Sequence, residues 1–391
     1  MKGEETMKRF LPLSLSVLLI LLSCFHRTPP PKVKTEFLLL ASKSQAGKTE
    51  KLEEAMENKK AVYHALKSLS SKNNIVIIYD ASGSMRDRIK EGGPKKFEAA
   101  YEGLKQIGTL FRQSDNVKLF VFGSKKSSGI TNEGLIPRKD YFRAVEASSD
   151  VELIYSSPQE GFNQKDFLAT IRFLGSENTY IGDTPIGYSV LKVHQVLRGV
   201  PNAKVILITD GLETGPLLAQ NISKDKGAEE RLRKKYPNYD DFTISASESI
   251  KKLVDNNIHF SPILYGLGGS IGDKSVREKE NQNIRDFYQK LATESGSIYI
   301  EAVTPLELLN AFMDAEMMSL TYGLYSLEPN KKNQLVAKGK MGISLMVEDG
   351  RYLLKIETEQ PFEQVVELRP QVRNIYFFNI DKDGKLKLIA M

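Results

Sequence analysis

The sequence predicts an α/β protein with a doubly wound, mostly parallel sheet and a small C-terminal antiparallel β domain. From Asn74 to Met318, apolar strands alternate with amphipathic helices, a pattern that favours a parallel sheet covered on both faces. Beyond Thr321 the pattern changes to short alternating runs, separated by turn signals at Asp349-Gly350 and Asp383-Gly384, as in an antiparallel sandwich. The 391 residues also suffice for two or three domains.

The elements of the α/β region can be assigned one by one from hydrophobic periodicity. The predicted strands are Ile75 to Tyr79, Val117 to Phe122, Lys204 to Thr209, His259 to Gly266 and Ser297 to Ala302. The predicted helices are Phe97 to Phe111, Ile186 to Leu197, Ala246 to Asp255, Ile284 to Ala292 and Pro305 to Met318. We expect the region from Lys125 to Gly161 to form an edge hairpin with an extended loop.

The N-terminal segment has the features of an export signal. Lys8 and Arg9 precede an apolar run from Phe10 to Leu22, which is too short to span a bilayer and has the length of a signal-peptide core. The run ends near Cys24, the single cysteine of the chain. It resembles a bacterial lipoprotein signal, although Leu22 and Ser23 replace the smaller residues usual before the lipidated cysteine. The resemblance implies a lipid anchor at Cys24 and a place in the cell envelope, periplasmic or surface-exposed. The alternatives are a simple secretory signal, which would make the protein secreted, or a retained anchor.

Four segments are expected along the chain. Residues 1–24 would be the signal peptide, and residues 25–72 a proline-rich spacer followed by a helix. Residues 73–320 would form the α/β domain, and residues 321–391 the small β domain.

Composition excludes several classes of function. Lys and Arg number 55 against 49 Asp and Glu, and the resulting charge of +6 is spread through mixed-sign runs. A nucleic-acid surface would need clustered basic residues interleaved with aromatic ones, so no nucleic-acid partner is predicted. The four histidines lack metal-ligand spacing, and one cysteine allows no intrachain disulfide.

Polar side chains follow two of the predicted strands at the point where each strand ends. Asp80, Ser82 and Ser84 follow the first strand, and Asp210 closes the run "VILITD". Thr184 precedes Pro185 at a predicted helix start and would face the same crevice. Because open α/β sheets bind ligands outside the carboxyl ends of their strands, these five side chains are the candidate site.

In order and spacing, these residues resemble the metal-ion-dependent adhesion site of von Willebrand factor type A domains. The likeness covers roughly Asn74 to Met318 and rests on Asp80-Ala81-Ser82-Gly83-Ser84, Thr184 and Asp210. It implies that Ser82, Ser84 and Thr184 contact a divalent cation directly, and that Asp80 and Asp210 act largely through water or as supporting carboxylates. Asp183, beside Thr184, departs from the family pattern.

The donor types agree with this implication. An all-oxygen set suits Mg²⁺, with Mn²⁺ or Ca²⁺ as alternatives. Neutral hydroxyl ligands would leave much of the ion's positive charge to bind an Asp or Glu carboxylate of a protein partner. The predicted function is therefore metal-dependent protein binding, in adhesion or envelope-complex assembly, without catalysis.

The sequence is also compatible with two other functions. In one, the metal site is vestigial and the protein is a scaffold that binds a partner through the insertion Lys224 to Asp241 or through the small β domain of residues 321–391. In the other, Asp80 is the nucleophile of an aspartyl-phosphate-forming phosphatase. Such enzymes usually carry a second acidic residue two positions on, where this chain has Ser82. Two other motif-like stretches, Gly266 to Ser275 and Asn379 to Gly384, are interpreted as a loop and a hairpin turn.

Overall fold

A six-stranded sheet forms the centre of the protein. The computed structural model describes residues 32–41, 52–124, 151–180, 182–213, 226–235, 239–267 and 274–391. The six strands are β2 (Asn74–Asp80), β3 (Asn116–Phe122), β4 (Val151–Ser156), β5 (Ala203–Thr209), β6 (His259–Tyr265) and β7 (Ile300–Ala302). Their order across the sheet is β4-β3-β2-β5-β6-β7. All neighbouring pairs are parallel except β3 and β4.

Helices cover both faces of this sheet. They are α1 (Leu52–Ser68), α2 (Lys96–Ile107), α3 (Gln164–Ile171), α4 (Ile186–Val196), α5 (Lys226–Lys235), α6 (Tyr239–Thr243), α7 (Ala246–Asp255), α8 (Lys274–Glu294) and α9 (Pro305–Met317). Ile75, Ile77 and Tyr79 of β2 pack on the side of α2 and α9, whereas Val76 and Ile78 pack on the side of α4, α7 and α8. Strand β2 is therefore buried on both faces, which explains its continuous apolar run.

The strand order places a crevice at the carboxyl end of β2. The chain passes from β2 to β3 on one side and later returns to β5 on the other side of β2. The loops that follow β2 and β5 therefore leave the sheet next to each other, which is the usual ligand position in such folds.

The second domain is a sandwich of two four-stranded sheets. Its strands are β1 (Lys34–Leu40), β8 (Thr321–Ser326), β9 (Leu335–Lys340), β10 (Leu345–Glu348), β11 (Gly350–Ile356), β12 (Glu363–Leu368), β13 (Arg373–Ile380) and β14 (Leu386–Ala390). The sheets have the orders β10-β1-β13-β14 and β12-β11-β8-β9. Their inner faces meet in ring contacts such as Phe37 with Tyr322, whose centroids are 5.5 Å apart.

Strand β1 is the main difference from the sequence prediction. It lies in the segment expected to be a spacer, yet it occupies an inner position of a sandwich sheet, antiparallel to β10 and parallel to β13. The α/β domain is thus inserted between β1 and β8 of the sandwich. The apolar run Phe37 to Leu40 was the available signal, but its partners lie about 300 residues later in the sequence.

Helix α1 contacts both domains, and buried charges hold it against α9. The Lys67 ammonium lies 2.9 Å from Asp115 and 3.7 Å from Glu316, and the three side chains are at most 2% exposed. Glu316 also accepts a hydrogen bond from Tyr63 and pairs with Lys204 at 3.5 Å. This group of five residues, the buried ion cluster, lies near the amino ends of the strands, opposite the candidate site.

The predicted α/β class is confirmed, and most element bounds shift by a few residues. The largest difference is α8, which begins at Lys274 rather than Ile284. An edge strand is found at β4, while residues 125–150 of the expected hairpin region lie outside the described residues. Residues 1–31, including Cys24, also lie outside them. Within the described part of the chain, no helix is both long and apolar enough to cross a bilayer.

Candidate metal centre

The turn after β2 is fixed by its own backbone hydrogen bonds. Asp80 is the last residue of β2 and is fully buried, and its Oδ1 accepts a 2.7 Å hydrogen bond from the Ser82 amide. The Ala81 amide donates to the Phe122 carbonyl, and the Gly83 amide donates to the Gly182 carbonyl. The turn is therefore connected to the end of β3 and to the loop at Gly182, and a one-turn 3₁₀ helix follows from Gly83 to Arg86.

The turn after β5 brings Asp210 to the same place. Thr209, the last residue of β5, donates a 2.6 Å hydrogen bond to Asp80 Oδ2. Asp210 Oδ1 accepts a 2.7 Å hydrogen bond from the Ser84 hydroxyl. The carboxyl ends of β2 and β5 are thus connected by side-chain hydrogen bonds. These contacts are possible because the two strands are neighbours in the sheet.

Three hydroxyl groups converge at this point. The Ser82 and Ser84 Oγ atoms are 3.1 Å apart. A Cβ atom added at Gly211 would lie 3.7 Å from Ser84 Oγ and 3.9 Å from Thr184 Oγ1. Glycine at position 211 thus leaves space between these two hydroxyls. Ser82 and Thr184 are buried, while Ser84 is exposed, so the group opens to solvent on the side of Ser84.

The structure therefore brings together all five residues that the sequence pattern selected. Asp80, Ser82, Ser84 and Asp210 are connected by hydrogen bonds, and Thr184 lies beside them across Gly211.

Charge at the site is costly because it is buried. Burial, and to a lesser extent the Asp210 carboxylate, raises the pKa of Asp80 to about 7, against the lowering effect of the hydrogen bonds from Ser82 and Thr209. Burial also raises the pKa of Asp183, the neighbour of Thr184. One cation lies inside the site: the Lys96 ammonium is 2.7 Å from Asp210 Oδ2, and both side chains are buried.

The donor set fits a small, hard divalent cation. All five side chains offer oxygen, the ligand that Mg²⁺, Mn²⁺ and Ca²⁺ prefer. Neighbouring ligands of octahedral Mg²⁺, each about 2.1 Å from the ion, lie about 3 Å apart. The 3.1 Å between the two serine hydroxyls agrees with that spacing. Among the described residues, no group of three or more His, Cys, Asp or Glu side chains is placed to hold a metal ion.

Two further residues shape the loops around the site. Gly123 has a φ of +72°, and a Cβ atom there would lie 2.7 Å from the Ser82 amide nitrogen. Glu213 is buried, and it accepts hydrogen bonds from the Gly187 and Ala246 amides in the first turns of α4 and α7. Burial raises the pKa of Glu213 to about 7. Glu213 thus connects the loop after Asp210 to the helix that follows Thr184.

Sequence reasoning missed Lys96, Thr209 and Glu213. Thr209 could have been found, because it stands beside Asp210 at the same strand end. Lys96 stands in the basic run "PKK" at a helix start, where a solvated side chain is the usual expectation. Only the packing of α2 against the carboxyl edge of the sheet shows that its ammonium is buried.

Comparison with known proteins shows only remote similarity. No protein-family model matches the sequence, and no curated protein matches it either. Among solved structures, a von Willebrand factor type A protein from Catenulispora acidiphila is 12% identical, with 81% of this chain and 68% of that chain covered and a TM-score of 0.38. The manganese-loaded TRAP protein of Plasmodium vivax is 13% identical, with 76% and 94% covered and a TM-score of 0.35.

A third similar structure is the pilus adhesin SpaC of Lactobacillus rhamnosus GG. It is 12% identical, with 82% of this chain and 50% of that chain covered and a TM-score of 0.40. The match thus takes in half of the adhesin. Similarity at this level does not establish what the present chain binds.

Proposed function

We propose that this protein is a binding module that captures a carboxylate of a protein partner through a divalent cation. The observation that carries the proposal is the convergence of Ser82, Ser84 and Thr184 hydroxyls with two buried carboxylates at the switch point of the sheet. Ser82, Ser84 and Thr184 would be the direct ligands, and Asp80 and Asp210 would support them. Mg²⁺ is the proposed ion, with Mn²⁺ or Ca²⁺ as substitutes.

The open side of the site suits a partner rather than a small substrate. Because the three direct ligands are neutral, the ion would keep positive charge toward solvent on the side of Ser84. A carboxylate from another protein would complete its coordination. This residue set resembles the adhesion site of von Willebrand factor type A domains, in which the cation plays that part.

The phosphatase alternative is disfavoured by the environment of Asp80. Both of its carboxylate oxygens accept hydrogen bonds, from the Ser82 amide and the Thr209 hydroxyl, and its exposure is 0%. A nucleophilic carboxylate must reach the phosphorus atom of its substrate, whereas this one serves to hold two strand ends together.

The scaffold alternative has one observation in its favour. Both oxygens of Asp210 are engaged within the protein, by Ser84 and by Lys96. An ammonium already supplies a positive charge there. In that case partner binding would depend on the insertion, whose described parts are α5 and α6, or on the β sandwich.

Thermal unfolding of the full chain in detergent, titrated with Mg²⁺ and Mn²⁺, tests the metal proposal. Unfolding is followed by circular dichroism, because a chain without tryptophan gives no tryptophan fluorescence signal. A cation at ten times its dissociation constant should add about 1.4 kcal/mol to the free energy of unfolding. We expect a saturable rise in melting temperature for the wild type and none for Ser82→Ala.

A matched control is available in Ser249→Ala. Ser249 is also buried, but it lies in α7, and its hydroxyl has no hydrogen-bond partner among the residues that the structure describes. This variant should keep the metal-dependent rise. A partner that stays bound in EDTA and to Ser82→Ala would contradict the proposal and favour the scaffold, which deletion of residues 224–241 would then test.

Lipid anchoring at Cys24 and a place in the bacterial cell envelope belong to the same proposal. The basic and apolar N-terminal sequence supports them. Metabolic labelling with radioactive palmitate should label the wild type and leave Cys24→Ala unlabelled. Labelling of both proteins would contradict the assignment of Cys24.

A further inference from the structure

We propose that Lys96 is a built-in counter-ion that weakens cation binding at the site and strengthens the bound cation's attraction for a carboxylate. This inference rests on the proposed function, because it concerns how the same site divides its charge between the ion and the partner.

The position of Lys96 is determined by contacts from three elements. It is the first residue of α2, and its ammonium lies 2.7 Å from Asp210 Oδ2 with 7% of the side chain exposed. Its amide donates to the Asp87 carbonyl at 2.9 Å. A Cβ atom at Gly266, which follows β6, would lie 2.9 Å from Lys96 Cγ, so the aliphatic stem packs closely against that turn.

The ammonium changes the charge balance of the site. Among the described residues, the hydrogen bonds and the ion pair of the site connect three charged groups, namely the Asp80 and Asp210 carboxylates and the Lys96 ammonium, while the serine and threonine hydroxyls are neutral. With both carboxylates ionised, the network carries one negative charge. A divalent cation would turn this into one positive charge, and a single carboxylate from a partner would bring it to zero.

Without the ammonium, the two carboxylates alone would neutralise the cation. The ion would then bind more tightly and attract a further carboxylate less. A charge at about 4–6 Å shifts an ionic equilibrium by roughly ten- to a thousandfold in a buried setting. Removing the ammonium should therefore raise the affinity for the cation and lower the affinity of the bound cation for a carboxylate, by about tenfold or more each.

Lys96 also limits the part that Asp210 can take. Oδ2 is held by the ammonium, and Oδ1 faces Ser84. Because both of its oxygens accept hydrogen bonds, this carboxylate would orient the Ser84 hydroxyl toward the ion rather than coordinate the ion directly. Lys96 is thus a positioning residue as well as a counter-ion.

The test uses Mn²⁺ and acetate as probes of the full chain. Free Mn²⁺ is measured by electron paramagnetic resonance, and acetate binding to protein-bound Mn²⁺ by the loss of water proton relaxation at constant ionic strength. Lys96→Gln removes the charge and keeps a donor for Asp210, whereas Lys96→Arg keeps the charge. Lys96→Met is a second neutral variant in case Lys96→Gln does not fold.

We expect the neutral variant to bind Mn²⁺ about tenfold more tightly and acetate about tenfold more weakly, with Lys96→Arg close to the wild type. A merely structural role would weaken both affinities together, so a parallel loss, or no change, overturns the Lys96 proposal alone. Absence of Mn²⁺ binding to every variant overturns the metal site and this proposal with it. If the neutral variant binds Mn²⁺ and the wild type does not, the result supports the role of Lys96 as a counter-ion. The same result contradicts the proposal that the wild-type protein binds its partner through a metal ion.

Discussion

Replacing Lys67 by methionine should destabilise the protein strongly, because it removes a central cation of the buried ion cluster. The ammonium lies 2.9 Å from Asp115 and 3.7 Å from Glu316, at 2% exposure. At an effective dielectric constant of about 20, charges at this range attract by roughly 5 kcal/mol, which the desolvation of the ammonium largely offsets. Removing one partner leaves the carboxylates buried, and such a loss costs about 3–5 kcal/mol.

The surroundings place the expected loss near 3 kcal/mol, the lower end of that range. Asp115 also accepts hydrogen bonds from the Arg112 side chain and from Asn73, and Glu316 keeps Tyr63 and Lys204. These partners still satisfy part of the two carboxylates after the substitution. The missing ammonium is therefore only partly compensated.

Urea unfolding followed by circular dichroism measures the effect as a lower midpoint at unchanged slope. Lys60→Met is the matched control, since Lys60 lies on the same helix and pairs with Glu57 at 2.9 Å on the surface. Exposed pairs of this kind are worth about 0.5 kcal/mol or less. Equal losses from the two substitutions would refute the role assigned to the buried ion cluster.

Three further predictions concern other parts of the molecule. Because burial raises the pKa of Glu213 to about 7, the folded protein holds a proton there that the unfolded chain releases at lower pH. This group alone should therefore lower the free energy of unfolding by up to about 3 kcal/mol from pH 5 to pH 8. In urea titrations at the two pH values, Glu213→Gln should remove that share of the fall, while Asp80, whose pKa is also raised to about 7, keeps its own. Gly123→Ala should cost more stability than Gly199→Ala and should weaken Mn²⁺ binding, since both glycines have positive φ (72° and 75°) but only Gly123 lies against Ser82. Deletion of residues 34–40 should speed amide hydrogen exchange in residues 321–391 while leaving β2, β3 and β5 protected, because β1 is an inner strand of a sandwich sheet.

Each of the three has a contradicting outcome. A pH dependence that is the same in Glu213→Gln and the wild type would show that another group titrates. Equal stability of the two glycine variants would mean that the loop around Ser82 adjusts without cost. Unchanged exchange in residues 321–391 would show that the sandwich persists without β1.

The sequence by itself determined the α/β class and the candidate residues of the site. Strands buried on both faces must be continuously apolar, so β2, β5 and β6 were recognisable from local pattern alone. Asp80, Ser82, Ser84 and Asp210 follow strand ends directly, and the carboxyl ends of parallel strands meet at one edge of a sheet. Local sequence therefore sufficed to predict that these side chains would be close together.

Tertiary structure alone decided which charges lie among them and where the domains begin. Lys96 and Lys67 have the sequence surroundings of surface lysines, and only the packing of α2 and α1 buries their ammonium groups next to carboxylates. Strand β1 is separated from β10 and β13 by the whole α/β domain, so its pairing leaves no local signal. Periodicity reports which face of an element is buried, whereas these features depend on contacts between elements far apart in the chain.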